Sequence, residues 1–326
     1  MKLSLCLLLT VVLAPLPLSA QRYQDDDGKI RTALVKMPYR GARNVAELSE
    51  VPDYLEAGGI WQEITEWGGA PKATETVGLA ASEANQYGEW HRLGLANGHL
   101  AEIVARNESE GFLSIGLLAN CSSLMGMLAG LQASDPPGGA RKVGLVFVDA
   151  HGDFNTPETT LSGMLGGMPV AVSAGLALQN LRLKSRLDPA IPTEHIVLAA
   201  VRDLDPLERE LIENSDVEQM TTDDIRERGE GLHSQMRRLS ELTDVIYVHI
   251  DMDVLDPREV AGHPLTVPDG PTSVELAAAL TEMFRYEKVA ALGLASTPAG
   301  ENDPEGISRQ AAYRLIEGAI EGIRQR

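Results

Sequence analysis

The sequence predicts an α/β fold in which helices cover both faces of a mainly parallel β-sheet. Apolar, β-branched runs alternate with helical stretches from about residue 31 to residue 326, as expected for strands joined by helical crossovers. Polar segments follow four of these runs, and parallel sheets bind ligands beyond the carboxyl ends of their strands. The chain has 326 residues, which suits one large α/β domain.

Six apolar runs are the predicted strands. They cover residues 32–37, 112–117, 143–148, 195–200, 245–249 and 289–294. The polar segments after the second to fifth runs include Cys121, Asp149, Arg202 and Asp251. We therefore expect these four segments to share one crevice at one edge of the sheet.

Two helices carry clear start signals. Thr272 and Glu275 have capping-box spacing and predict a helix over residues 276–286. Asp303 and Pro304 predict an N-cap and a first-turn proline for the last helix. Its predicted buried face contains Ile307, Ala311, Ala312, Leu315, Ala319 and Ile323.

The chain divides into three predicted parts. Residues 1–20 have a short positive end, an apolar core and small residues for cleavage, which predict a signal peptide and an exported, periplasmic or secreted protein. The alternative is an N-terminal anchor that is retained. Residues 21–30 predict a loose polar leader, and residues 31–326 predict the catalytic domain.

Charge and cysteine content exclude several classes of partner and bond. The formal net charge is −19, which argues against nucleic acid and against anionic membrane surfaces, so we expect no membrane binding after signal removal. Of the two cysteines, Cys6 lies in the predicted signal. The mature chain would keep only Cys121 and would form no internal disulfide.

Two short segments place acids and histidines at every second position. They are Asp149–Ala–His151–Gly–Asp153 and His249–Ile–Asp251–Met–Asp253, each at the end of an apolar run. Because side chains alternate along an extended chain, alternate residues of each segment should face one point. Such a cluster of acids needs a cation. The alternative is a pair of polar loops that repeat by chance.

The donor types favour two metal ions over one. Four carboxylates, one imidazole and a thiol are too many for a tetrahedral structural zinc site. Carboxylate-rich sites favour Mn²⁺ or similar hard ions, and two such ions can hold a bridging hydroxide as the nucleophile. The chain has no nucleophile elbow, and residues 163–167 lack the spacing of a dinucleotide-binding loop.

The motifs resemble those of the arginase (ureohydrolase) family. They read DAHGDFNTPETTLSG at 149–163, RDLDP at 202–206 and VHIDMDVLDP at 248–257, and the similarity extends along most of residues 32–326. The resemblance implies a three-layer α/β/α sandwich, assembly as a homotrimer or homohexamer, and two-metal hydrolysis of a C–N bond in a small guanidino substrate.

The resemblance also implies the metal ligands. One ion would bind Cys121, Asp149, Asp153 and Asp251, and the other would bind Asp149, His151, Asp251 and Asp253. The catalytic candidates are Asp153 and His249. His249 would replace a proton shuttle or would orient a carboxylate. Mn²⁺ is the expected ion, with Zn²⁺ or Co²⁺ as alternatives because a thiolate is a softer ligand than imidazole.

Three positions depart from the family pattern. Cys121 stands where the family has a histidine ligand, although it could instead be an inert buried thiol or a nucleophile. Gly166 and Ala295 stand where arginases have a proton-shuttle histidine and a guanidinium-binding glutamate. The alternative to an enzyme is therefore a metal-binding pseudoenzyme with the arginase fold.

The other end of the predicted substrate site matches arginase. Asn155 and Ser162 match residues that hold a substrate carboxylate, and Asp205 matches one that meets an α-amino group, although each could simply cap a loop. This pattern is similar to the family branch that hydrolyses N-hydroxy-arginine and has Cys at the first ligand. The remaining histidines are expected to be surface or packing residues: His91, His99, His195, His233 and His263.

Overall fold

The computed structural model describes residues 22–40, 49–133 and 139–326. Its core is an eight-stranded sheet in which all neighbouring strands are parallel, in the order β2-β1-β3-β8-β7-β4-β5-β6. The strands are β1 Ile30–Met37, β2 Gly69–Thr76, β3 Leu113–Leu118, β4 Val143–Val148, β5 Ile196–Ala199, β6 Glu218–Met220, β7 Val245–Asp251 and β8 Val289–Ala295.

Helices form a layer on each side of this sheet. In one layer α4 and α5 pack on each other, and in the other α11 packs on α12. The fold is thus the predicted three-layer α/β/α sandwich. The helices are α1 Val51–Ala57, α2 Ile60–Glu66, α3 Ala81–Ala84, α4 Glu89–Ser109, α5 Leu124–Ala133, α6 Pro169–Ser173, α7 Gln179–Lys184, α8 Pro206–Glu213, α9 Thr222–Glu227, α10 Glu230–Leu242, α11 Ser273–Phe284 and α12 Ile307–Arg324.

All six predicted strands are present, and the sequence pattern missed the two edge strands. The central strands β3, β4, β7 and β8 are fully buried, as strands covered by helices on both faces must be. The edge strands β2 and β6 are partly exposed and contain charged residues. An edge strand therefore lacks the continuous apolar run on which the prediction depended.

The predicted N-cap was correct for α11 and wrong for α12. Thr272 caps α11 with the predicted box, since its hydroxyl accepts the Glu275 N–H. The last helix begins at Ile307, so Asp303 is not its N-cap and Pro304 is not in its first turn. The Asp303 carboxylate nevertheless accepts N–H bonds from the first turn of α12. Ile307 is exposed, and the other predicted face residues are buried.

The predicted loose leader is packed where the structure describes it. Tyr23 is buried, and its hydroxyl donates to the Glu108 carboxylate at 2.7 Å. Asp25 accepts N–H bonds from the turn that follows it, and β1 already begins at Ile30. The predicted signal peptide lies outside the described residues. Among the described residues, no helix is both long enough and apolar enough to cross a bilayer.

Candidate metal centre

The candidate site lies at the carboxyl ends of the four central strands. Cys121 follows β3, Asp149 follows β4, Asp251 ends β7, and Ser296 follows β8. These four strands are neighbours in the order β3-β8-β7-β4. Their ends open into a cavity of about 860 Å³, which all four of these residues line. The predicted crevice is therefore present at the predicted edge of the sheet.

The first acidic segment converges on the cavity through a turn. Strand β4 ends at Val148, and the His151 N–H then donates to Asp149 Oδ1 at 2.7 Å. Asp153 has a left-handed backbone, with φ of 46°, a conformation that Asp tolerates better than most residues. A Cβ on Gly152 would lie 2.7 Å from the side chain of Leu204, so a larger residue there would displace that side chain. The predicted convergence occurs, but strand alternation does not cause it.

The second segment also turns as its strand ends. Asp251 is the last residue of β7, and residues Met252–Val254 form a 3₁₀ turn. The Asp253 N–H donates to Asp251 Oδ1 at 3.1 Å, which directs both carboxylates towards the cavity. The Ala150 N–H donates to Asp253 Oδ1 at 3.3 Å and so connects the two segments directly.

The structure brings all six predicted ligands together in overlapping groups. Ligand atoms of Cys121, Asp149 and Asp153 lie within 4.8 Å of one another, as do those of Asp149, His151 and Asp253. Cys121 Sγ lies 2.9 Å from Asp251 Oδ2, and His151 Nδ1 lies 3.1 Å from Asp253 Oδ2. Asp149 belongs to both groups, as a bridging ligand must.

Burial of so many acids shifts their pKa values. Burial, and then repulsion from neighbouring carboxylates, raises the pKa of Asp149 and of Asp153 well above the usual range and also raises that of Asp251. Burial also acts to raise the pKa of Asp253, but the hydrogen bond from His151 lowers it overall. The two carboxylates beside His151 raise its pKa to about 11 despite partial burial. This donor set fits divalent cations, which would replace the missing positive charge.

Cys121 is suited to metal ligation and not to free thiolate chemistry. Burial, followed by the charges of Asp251, Asp153 and Asp149, raises the pKa of its thiol well above the usual value. A nucleophilic cysteine needs a lowered pKa and a base beside it, whereas Cys121 Sγ lies against two carboxylates. A bound cation would reverse this effect, because it stabilises the thiolate directly.

His249, a predicted catalytic residue, lies outside the cavity. It is fully buried, its ring stacks on Phe147, and its Nδ1 lies 2.8 Å from the Tyr247 hydroxyl. Burial lowers the pKa of its imidazole to about 3. His249 does share a strand face with Asp251, but two residues span roughly 6.6 Å along a strand, so its ring lies inside the sheet. Among the described residues, His249 contacts Phe147 and Tyr247, so the structure supports neither predicted role and both stay predictions.

His263, predicted to be a surface or packing residue, lies in the site. Its Nε2 is 3.8 Å from Asp251 Oδ1, and its Nδ1 is 3.9 Å from Asp253 Oδ2. The Leu265 N–H donates to Nδ1 at 3.2 Å, so a neutral ring carries its proton on Nε2. The sequence did not indicate that His263 lies in the site, because it belongs to an irregular loop ten residues after Asp253.

The predicted substrate-binding residues line the same cavity. Asn155 Nδ2 donates to Asp205 Oδ2 at 3.2 Å, and the Leu161 N–H donates to the same oxygen at 3.4 Å. Ser162 is exposed on the loop that follows, and its hydroxyl accepts the Met164 N–H. The structure therefore places Asn155, Ser162 and Asp205 together at one side of the cavity.

The two departures from the family pattern leave part of the cavity without polar groups. Gly166 lines the cavity, and a Cβ there would have no neighbour within 4 Å. Ala295 ends β8 opposite Asp251 and is fully buried. Gly166 lies in the loop after β4 and Ala295 lies at the end of β8, and neither residue brings a polar side chain to the site.

Comparison with known proteins supports one family. The family described as "Arginase family" matches residues 120–320. Arginase from Brevibacillus brevis is 31% identical over 169 residues, which cover 51% of this chain and 55% of that protein. The chain thus spans about half the length of the first curated relatives that it matches.

Solved structures share the fold. Arginase from Bacillus subtilis has a TM-score of 0.75 at 23% identity, covering 89% of this chain and 98% of that one. Formimidoylglutamase from the same species has a TM-score of 0.66 at 17% identity, covering 92% and 89%.

Without metal, the protein should lose stability as pH rises. The raised pKa values of Asp149, Asp153 and Asp251 mean that the folded state binds more protons. That stability is complete below the unfolded Asp pKa of about 3.9 and is lost as pH rises through the raised values. The raised pKa of His151, about 11, acts in the same direction between neutral and high pH.

The measurement is the melting temperature at pH 5.5 and pH 8.5, in chelator without metal and, after the chelator is removed, in Mn²⁺. Mn²⁺ should stabilise the protein more at pH 8.5, where fewer bound protons compete with it. Asp153→Asn should show a smaller loss with pH. Equal pH dependence in both proteins would contradict this account of the cluster.

His263 should support metal binding if its Nε2–H, which lies 3.8 Å from Asp251 Oδ1, closes to a hydrogen bond when the ions bind. Groups that hydrogen-bond to metal ligands typically contribute about 10–100-fold to metal affinity. We expect His263→Ala to weaken Mn²⁺ binding by about tenfold, and His263→Gln, which keeps an N–H near the Nε2 position, to lose less. Titration calorimetry measures both, with His91→Ala as a control away from the cavity. Unchanged affinity in His263→Ala would show that the ring only forms the cavity wall.

Proposed function

The chain belongs to the arginase family, and we propose that it is a two-metal hydrolase that cleaves a C–N bond of a guanidino substrate. One observation carries the proposal. Six potential ligands from three strand ends converge in one cavity: Cys121, Asp149, His151, Asp153, Asp251 and Asp253. The four carboxylates among them are buried. Among the described residues, His151 compensates only part of this charge, which supports the binding of divalent cations.

Different residues would bind the metal ions and orient the ligands. When bound, two divalent cations supply Lewis-acid chemistry that activates a water as nucleophile near neutral pH. Asp149 and Asp251 each face both parts of the cluster, which suits bridging ligands. The Ser296 hydroxyl donates to Asp251 Oδ2 at 2.6 Å and so fixes the direction of that carboxylate. The described turns hold this arrangement before any substrate arrives.

The cavity favours a positively charged substrate. Among the described residues that line it, acids are numerous and Arg40 is the one arginine or lysine. A guanidinium is therefore attracted to the carboxylate end. Asn155, Ser162 and Asp205 offer polar groups for the other end of an arginine-like or N-hydroxy-arginine-like molecule. The open space at Gly166 can accommodate the extra oxygen of an N-hydroxyguanidine.

The metal we propose is Mn²⁺, because carboxylates dominate the donor set. The Cys121 thiol is a softer ligand than a carboxylate, so Zn²⁺ and Co²⁺ are alternative ions at its subsite. We also propose that the protein is exported and assembles as a homotrimer or homohexamer. Fractionation of the native host tests the first point, and sedimentation of the purified protein tests the second.

The second candidate function is a metal-binding pseudoenzyme. Gly166 and Ala295 favour it, because neither can protonate a leaving amine or hold a guanidinium. A pseudoenzyme would keep the fold and the metals without turnover. The two candidates predict the same metal content and differ in product formation.

The substrate assay separates them. We expect protein loaded with Mn²⁺, Zn²⁺ or Co²⁺ to release urea or hydroxyurea from at least one of arginine, N-hydroxy-arginine, agmatine and guanidinobutyrate. Asp149→Asn should lose more than about a hundredfold in activity, since losing even an indirect partner of a ligand costs about 10–100-fold. Asp216→Asn, an exposed change, is the control. Two bound ions and no product from any compound would favour the pseudoenzyme.

A further inference from the structure

Large apolar side chains stand exposed at the mouth of the metal cavity. Leu161 is 75% exposed, Met164 is 50% exposed, and Leu265 is 45% exposed, and all three line the cavity. Leu161 and Met164 belong to the loop between β4 and α6, and Leu265 belongs to the loop between β7 and α11. We call these three side chains the apolar rim.

Backbone hydrogen bonds connect the rim residues to polar residues of the site. The three bonds are Leu161 N to Asp205 Oδ2 at 3.4 Å, Met164 N to Ser162 Oγ at 3.2 Å, and Leu265 N to His263 Nδ1 at 3.2 Å. Each acceptor side chain lines the same cavity, so the rim belongs to the loops that form the site.

Single exposed apolar residues are common on proteins and by themselves indicate nothing. Leu176 and Leu183 are similarly exposed, at 44% and 42%, but neither lines the cavity. The apolar rim differs because three such residues surround one opening. An exposed apolar surface of this kind beside convergent polar groups is typical of a ligand-binding site.

The cavity is also larger than a small guanidino amino acid needs. Its volume of about 860 Å³ lies in the upper part of the ~300–1,000 Å³ range of pockets that hold drug-sized ligands. The carboxylates that line the cavity are buried, whereas the side chains of the apolar rim are exposed. The carboxylates favour a cationic group and the rim favours an apolar group, so one ligand that fills the cavity would carry both.

We propose that the substrate carries an apolar group beyond the polar atoms that meet Asn155, Ser162 and Asp205, and that the apolar rim binds this group. This inference rests on the proposed function, since it extends the same site. The cationic head meets the carboxylates, and an aliphatic or aromatic tail covers Leu161, Met164 and Leu265. The preferred substrate class is therefore an apolar-tailed guanidine.

The test uses a series of alkylguanidines from methyl to hexyl with the metal-loaded protein. We expect kcat/KM to rise by about twofold to fourfold for each methylene that reaches the rim, in line with the gain from burying one methylene. The rise should come from KM. Leu161→Thr combined with Met164→Gln should flatten the series, and Leu176→Thr should not.

A second readout does not depend on turnover. Calorimetry should show tighter binding of alkylamines, from methyl to hexyl, to the unmodified protein as the chain lengthens, and no such trend in the double variant. If this trend appears and no guanidine is hydrolysed, the proposed function fails and the apolar-tail inference survives.

The opposite result is equally informative. Hydrolysis without any dependence on chain length would overturn the inference and leave the proposed function intact. A double variant that changes the sedimentation of the protein and leaves the chain-length trend unaltered would also overturn it, because the rim would then contact a second copy of the chain.

Discussion

The structure depends on the mutual repulsion of carboxylates that are buried together. Asp149, Asp153, Asp251 and Asp253 lie at the ends of two adjacent strands, and each is at most 7% exposed. Their charges raise one another's proton affinity, and His151 compensates only part of the total. Burying unpaired charge is costly, so without metal these carboxylates bind protons more tightly, and a bound divalent cation would replace those protons. Metal binding would then stabilise the fold through this cluster.

The fold makes the cluster by turning the chain sharply after each strand. A hydrogen bond joins the two segments, because the Ala150 N–H donates to the Asp253 carboxylate. Arg202 fixes the surrounding loop, since its guanidinium donates to the carbonyls of Val254, Val267 and Pro268. That loop also carries His263 and Leu265. One partly buried arginine therefore helps to position the loop that contains both His263 and Leu265.

The sequence predicted the central strands and the ligands well, because both leave local signals. Val143–Val148 is a continuous apolar run that ends in acids, and such a run has few other structural solutions. The edge strand Glu218–Met220 leaves no such signal. Alternation along a strand predicts the face on which His249 lies, but it does not predict how far His249 lies from the cavity. His263 was missed because its position depends on how an irregular loop folds back over β7.

The cluster combines a thiol, carboxylates and imidazoles. Cys121 brings the thiol, and the ring of His263 approaches the carboxylates from the loop between β7 and α11. Two imidazoles thus lie near the carboxylates, and that of His263 accepts the Leu265 N–H through Nδ1. This arrangement combines a soft ligand on one side with hard oxygen ligands throughout.

Anomalous X-ray diffraction from crystals grown with Mn²⁺ tests the central claim most directly. The account predicts two anomalous peaks about 3.5–4 Å apart, the spacing of paired metals in two-metal hydrolases, with Asp149 and Asp251 bridging them. Data from crystals grown with Zn²⁺ should show the same pair, with Cys121 bonded to one ion. A single peak, or peaks away from these carboxylates, would contradict the account.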